Sequence, residues 1–166
     1  MKFKNAKEEF IQTWGTLGTN WGINRTMAQI HALLLIATEP MNADQIMEEL
    51  KISRGNANMN LHSLMDWELI YKKSLSGHRK DYFVAEKDIW LMVQRITAQR
   101  KKKELDPLIK TLKKLSKVND ETPEEKELKT VVTDIHDFAN QANKMLTSVM
   151  KSDNKWFAKI FLKLWR

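Results

Sequence analysis

A mainly α-helical chain carrying one short β-hairpin is the fold class that this sequence of 166 residues predicts, on three observations. Apolar residues recur at helical spacing, as in Phe3, Phe10, Trp14, Leu17 and Trp21, which draw one stripe down a first helix. Two short helical stretches, "ADQIMEELKI" and the one that Ser53 caps, lie only a tight turn apart. β-formers then flank a single turn in "LIYKKSL", "SGH" and "RKDYFVA".

Each element has its own start or stop signal. After the Trp21-Gly22 break, Asn24 is placed to cap a second helix, "RTMAQIHALLLIATE", with Ile30, Leu33, Leu34 and Ala37 facing inward until Pro40 ends it. Asn42 caps a third, "ADQIMEELKI", whose buried side is Ile46, Met47 and Leu50. Ser53 caps the fourth, which runs to about Trp67. Two short helices across a tight turn outline a helix-turn-helix, and the hairpin with its basic tip makes it a winged helix.

Helical spacing resumes at Asp88, with Ile89, Leu91, Met92 and Ile96 leading into "RKKK" at Arg100 to Lys103. Asp106-Pro107 reads either as a kink or as a fresh helix start. Thr122 and Glu125 form a capping box with Pro123 at the first helical position. The helix they open carries Leu128, Val131, Val132, Ile135, Phe138, Ala139, Ala142, Met145, Leu146 and Val149 as one long stripe. A stripe of that length calls for a partner.

The formal charge of +7 points to an anionic partner, although it is unevenly spread: residues 40–86 hold six basic and seven acidic side chains, residues 87–117 ten and three. The absence of cysteine excludes disulfides and thiolate metal sites and fits a reducing compartment. The longest apolar run, "ALLLIA", is too short to span a bilayer, and "MKFKNAKEEFIQTWG" lacks the apolar core of a secretion signal, so a cytoplasmic protein is expected. His31, His62, His78 and His136 show no ligand spacing, and no glycine-rich phosphate loop follows a strand. No enzyme, metal or cofactor is expected.

The stretch "KISRGNANMNLHSLMDWELI" crowds Gly55, Asn56, Asn58 and Asn60, all poor helix formers, onto one helix. That cost is explained if the face turned away from Ala57, Leu61 and Leu64 enters the major groove, where an asparagine amide can bond adenine N6 and N7. Arg54 could then reach guanine or phosphate, the Ser53 hydroxyl and the helix N-terminus a phosphate, and Gly55 would allow close approach. The wing tip offers Ser76, Gly77, His78, Arg79 and Lys80, with Lys72 and Lys73 on the strand before it; the arginine could enter the minor groove and the lysines neutralise phosphates. A solvated polar helix face and an ordinary hairpin are the plainer alternatives. The DNA reading requires Glu48, Glu49, Asp66 and Glu68 to face away from the duplex.

With "ISRGNANMNL", the "WELI" after it and "GHRKDYF" in the wing, residues 10 to about 105 resemble the GbsR/MarR family of winged-helix transcriptional regulators. The resemblance implies a bacterial homodimer whose Arg79 contacts double-stranded DNA and whose recognition-helix positions include Ser53, Arg54, Asn56, Asn58 and Asn60. The chain as a whole reads as an N-terminal dimerisation helix (1–22), a winged helix-turn-helix domain (23–87) and a helical dimerisation region (88–166), of which the part after about residue 106 lies beyond the resemblance. The function expected is sequence-specific regulation, repression by default, at a pseudo-palindromic operator. The rival reading is a winged helix serving protein–protein contact.

Some members of that family sense quaternary-ammonium molecules, which makes Trp14, Trp21, Trp90 and Phe138 candidates for a cation–π cage around a small cationic effector. Tryptophans at helical spacing also read as core. The block at Arg100 to Lys103 reads either as a phosphate contact or as a solvated face. In the tail "NKWFAKIFLKLWR", residues 154–166, Lys155, Lys159 and Lys163 lie opposite apolar residues, which suits docking on the dimer or, as the less favoured reading, lying on an anionic membrane.

Overall fold

The computed structural model describes residues 1–77 and 79–151, which form two compact units, Met1–Met92 and a second beginning at Val93. In the first, α1 (Phe3–Asn20) is followed by α2 (Arg25–Ile36), which starts where the Asn24 side chain accepts the Met27 N–H at 3.1 Å. A two-residue strand, β1 (Met41–Asn42), leads into α3 (Ala43–Leu50). That helix opens with a reciprocal capping box: Asn42 Oδ1 accepts the Gln45 N–H at 3.0 Å, and Gln45 Oε1 accepts the Asn42 N–H at 2.8 Å. Lys51 closes it in the left-handed region at φ 54°. Two residues on, Ser53 Oγ accepts the Asn56 N–H at 3.4 Å and starts α4 (Arg54–Asp66), completing the helix-turn-helix.

The wing is β2 (Ile70–Lys73) and β3 (Tyr82–Ala85), paired antiparallel with Ile70 opposite Ala85. β3 is central, because β1 bonds to its other edge with Met41 opposite Phe83. Nothing in the sequence marks β1. Two residues behind a proline carry no alternation and become a strand only because β3 offers an open edge. The core collects Ile30, Leu33 and Leu34 of α2, Ile46 of α3, Leu61 and Leu64 of α4 and Ile70 of β2, all at most 2% exposed. Burying each such side chain contributes roughly 1.5–3 kcal/mol.

α1 corrects the stripe expected for it. Its buried residues are Ile11, Gly15 and Gly18, whereas Phe3, Leu17 and Trp21 are exposed. A Cβ on Gly18 would stand 2.6 Å from the Ala28 Cβ, and one on Gly15 would stand 2.8 Å from the Gln29 Cγ. The glycine edge lets α2 approach closely, and that closeness decides which face is buried.

α5 (Ile89–Arg100) starts in the last residues of the first unit and runs into the second, where a π-helical turn (Lys101–Leu105) and α6 (Asp106–Leu115) continue it without a break in helical backbone; Arg100 and Asp106 both keep right-handed φ and ψ. Pro107 therefore begins no separate helix. The wider turn before it accommodates the missing N–H and the bulk of the ring. α7 (Pro123–Lys151) opens on the expected box, with Thr122 Oγ1 accepting the Glu125 N–H at 3.2 Å and Glu125 Oε2 accepting the Thr122 N–H at 2.9 Å.

The long α7 stripe splits into two. Val132 and Ala139 are buried with Leu112, backed by Leu105 and Ile109, while Leu128, Val131, Ile135, Phe138 and Met145 remain 44–74% exposed.

Candidate nucleic-acid interface

α4 turns two unlike faces to its surroundings. Ala57, Asn60, Leu61 and Leu64 point into the core, and Gly55, Asn58, Met59 and His62 are exposed at positions i, i+3, i+4 and i+7. Asn60 is thus a correction to the expected reading surface: it is 2% exposed, and its Nδ2 donates to the Asn56 backbone oxygen at 2.8 Å and to Asn56 Oδ1 at 2.7 Å. Asn56 is half-buried, and its Nδ2 donates to Thr26 Oγ1 of α2 at 3.4 Å. These two asparagines form a polar tie between α4 and α2. A buried amide is tolerated there because its donors find acceptors.

At the start of α4, Ser53, Arg54 and Gly55 are exposed, and a Cβ on Gly55 would meet nothing within 4 Å. Arg54 Nη2 donates to Asp44 Oδ1 at 3.0 Å, and Lys80 Nζ donates to Asp44 Oδ2 at 2.8 Å, so one carboxylate of α3 joins α4 to the wing. The hydrogen bond and charge of Lys80, with the charge of Arg54, hold the Asp44 carboxyl below the usual carboxylate range. The same hydrogen bond raises the Lys80 ammonium above its ordinary value. Gly77 turns the wing tip at φ 81°, Arg79 is exposed beside it, and Lys72 pairs with Asp81 at 2.7 Å. His78 and the tail at 154–166 lie outside the described residues.

Three participants escape a reading of the sequence. Met59, 57% exposed, stands on the outward face beside Asn58, and the i, i+3, i+4, i+7 spacing from Gly55 was the signal that could have found it. Asp44 and Thr26 carry no local signal, since their partners lie 10 to 36 residues away. Of the acids expected to face away, Glu49 pairs with Lys7 of α1 at 2.7 Å.

The proposed aromatic cage draws on both units. Trp14, Trp21 and Trp90 fall in the first and Phe138, 74% exposed, in the second. Trp14 is stacked at a tilt with Phe10 and His31, at ring separations of 5.5 and 6.3 Å. The second unit has a cleft of about 450 Å³ of different chemistry, lined by Leu105, Leu108, Ala142 and Leu146 together with Arg100, Lys101 and Glu104, and by no aromatic ring. Within the basic block, Arg100 pairs with Glu104 at 3.3 Å and Lys101 with Asp106 at 2.9 Å. Among the described residues no three His, Asp or Glu side chains are grouped to hold a metal ion, and no described helix is long and apolar enough to cross a membrane.

Residues 21–81 match the model of the MarR family. A solved structure described as "Crystal Structure of a transcriptional regulator" is similar in fold, with a TM-score of 0.58 at 16% sequence identity; the similarity covers 86% of this chain and 99% of that one. No curated protein matches the chain.

Proposed function

We propose that this chain, whose residues 21–81 match the MarR family, is a DNA-binding transcription regulator that acts as a homodimer on a pseudo-palindromic operator. The observation that carries the reading is the meeting of the α4 N-terminus and the wing at Asp44, beside a helix face that stays exposed among the described residues. Asn58, Met59 and His62 on that face would meet base edges, Met59 against a thymine methyl. Arg54, Lys80 and the Ser53 end of α4 would take phosphates, and Arg79 would enter the minor groove. Repression by occluding a promoter is the default output.

MarR-family regulators bind DNA, generally as dimers, and α7 has a surface suited to a second copy. Its exposed residues Leu128, Val131, Ile135, Phe138 and Met145, together with the half-buried Ala142, alternate gaps of three and four, the seam of a coiled coil. The exposed apolar residues of α1, Phe3 and Leu17, and Trp21 just after it support a share for residues 1–22 in the same contact. A GbsR-like sensing role for Trp14, Trp21, Trp90 and Phe138 predicts calorimetric heat with choline or betaine, and no heat removes it.

Fluorescence anisotropy with labelled DNA from upstream of the protein's own gene, against a scrambled duplex at near-physiological salt, tests the function. Saturable binding that prefers the upstream fragment is expected. Failure to bind any duplex, even at low salt, contradicts it.

A further inference from the structure

A carboxylate stands among the cations of the candidate DNA surface, in the first turn of α3, where an acidic side chain also suits the helix dipole. Exposed ion pairs add little to stability, and α3 already begins with a complete capping box made by Asn42 and Gln45. The two Asp44 oxygens are divided between elements, Oδ1 to Arg54 of α4 at 3.0 Å and Oδ2 to Lys80 of the wing at 2.8 Å, and the three side chains are 44–72% exposed. Two cations straddling two anionic oxygens is also how a backbone phosphate would be gripped at this spot.

Resting on the DNA reading above, we propose that Asp44 is an intramolecular competitor for phosphate: it fills the grip of Arg54 and Lys80 in the free protein and weakens binding to duplex of any sequence. Binding requires the cations to leave the carboxylate, which then sits uncompensated near the DNA and recruits a cation from solution. Net counterion release falls by about one as a result, and with it the steepness of the salt dependence. The consequence is discrimination by occupancy. A constant loss of affinity frees the protein from weak, sequence-independent sites, whereas a tight operator stays filled.

The test compares the full chain with Asp44→Asn and Asp44→Ser in salt titrations on a mixed-sequence duplex and on a duplex selected from a random pool. Both variants are expected to bind both duplexes roughly three- to tenfold more tightly at fixed salt, with a log–log salt slope steeper by about one. Glu49→Gln changes net charge equally but lies against Lys7, and it should leave affinity within about twofold. Weaker or unchanged binding by the Asp44 variants overturns the proposal, as does an equal gain in Glu49→Gln, which would mean that net charge alone acts. If the wild type binds duplex and the variants gain nothing, the DNA reading stands and the role of Asp44 falls. If neither wild type nor variant binds duplex at low salt, both fall.

Discussion

α4 and α7 depart from the ordinary sorting of polar and apolar side chains in opposite directions. α4 buries an asparagine at 2% exposure and gives it partners on Asn56, which is itself tied to Thr26; α7 leaves Phe138 74% exposed in a row of apolar residues that none of the described residues covers. Polarity taken inward fixes the seating of a helix, because a bonded amide tolerates few alternative placements. Apolar surface left outward is the face proposed above for a second copy.

The largest effect should come from removing that outward face. Ile135→Glu combined with Phe138→Glu is expected to leave the winged helix folded by circular dichroism, to convert a dimer into a monomer in sedimentation, and to weaken operator binding by roughly a hundredfold or more. A variant that stays dimeric would place the dimer contact elsewhere.

His31 supplies the next contrast, a buried polar group without the compensation that Asn60 enjoys. It is 3% exposed, its Nε2 has no hydrogen-bond partner among the described residues, and burial lowers its pKa from 6.5 to about 4. The unfolded chain therefore takes up a proton at a higher pH than the folded one. Stability is complete above pH 6.5 and is lost as pH falls toward 4, by about 3 kcal/mol at most. His31→Leu should flatten that part of the stability profile in urea titrations, and an unchanged profile would assign the loss to other groups.

Asn60→Ala deletes the donor to Asn56 Oδ1 and is expected to cost about 2 kcal/mol in denaturant unfolding. Gly55→Ala should act oppositely and least, raising stability by up to about 0.5 kcal/mol through helix propensity while reducing duplex affinity, since the space it fills is open only in the free protein. A Gly55→Ala variant that binds DNA as well as the parent would show that the duplex does not approach there.

What the sequence made legible was local. Asn24, Asn42, Ser53 and the Thr122–Glu125 box each cap the helix they precede, because a cap involves residues three apart. The hairpin was legible for the same reason. The side of α1 that meets α2 was not, since periodicity marks the greasiest face and takes no account of how closely Gly15 and Gly18 let a neighbour approach. Asn60 misled by its type: the position three after Ala57 lies inward whatever residue holds it. Asp44 was out of reach, because Lys80 comes to it only after the wing folds.

The most direct test of the central claim, that α4 and the wing grip duplex DNA, is the salt dependence of duplex affinity for the wild type beside Arg54→Ala and Arg79→Ala. The log of the association constant should fall linearly with the log of salt concentration, and a substitution that removes a phosphate contact should make the slope shallower by about 0.9. Duplex binding whose affinity and slope are the same in all three proteins would contradict it.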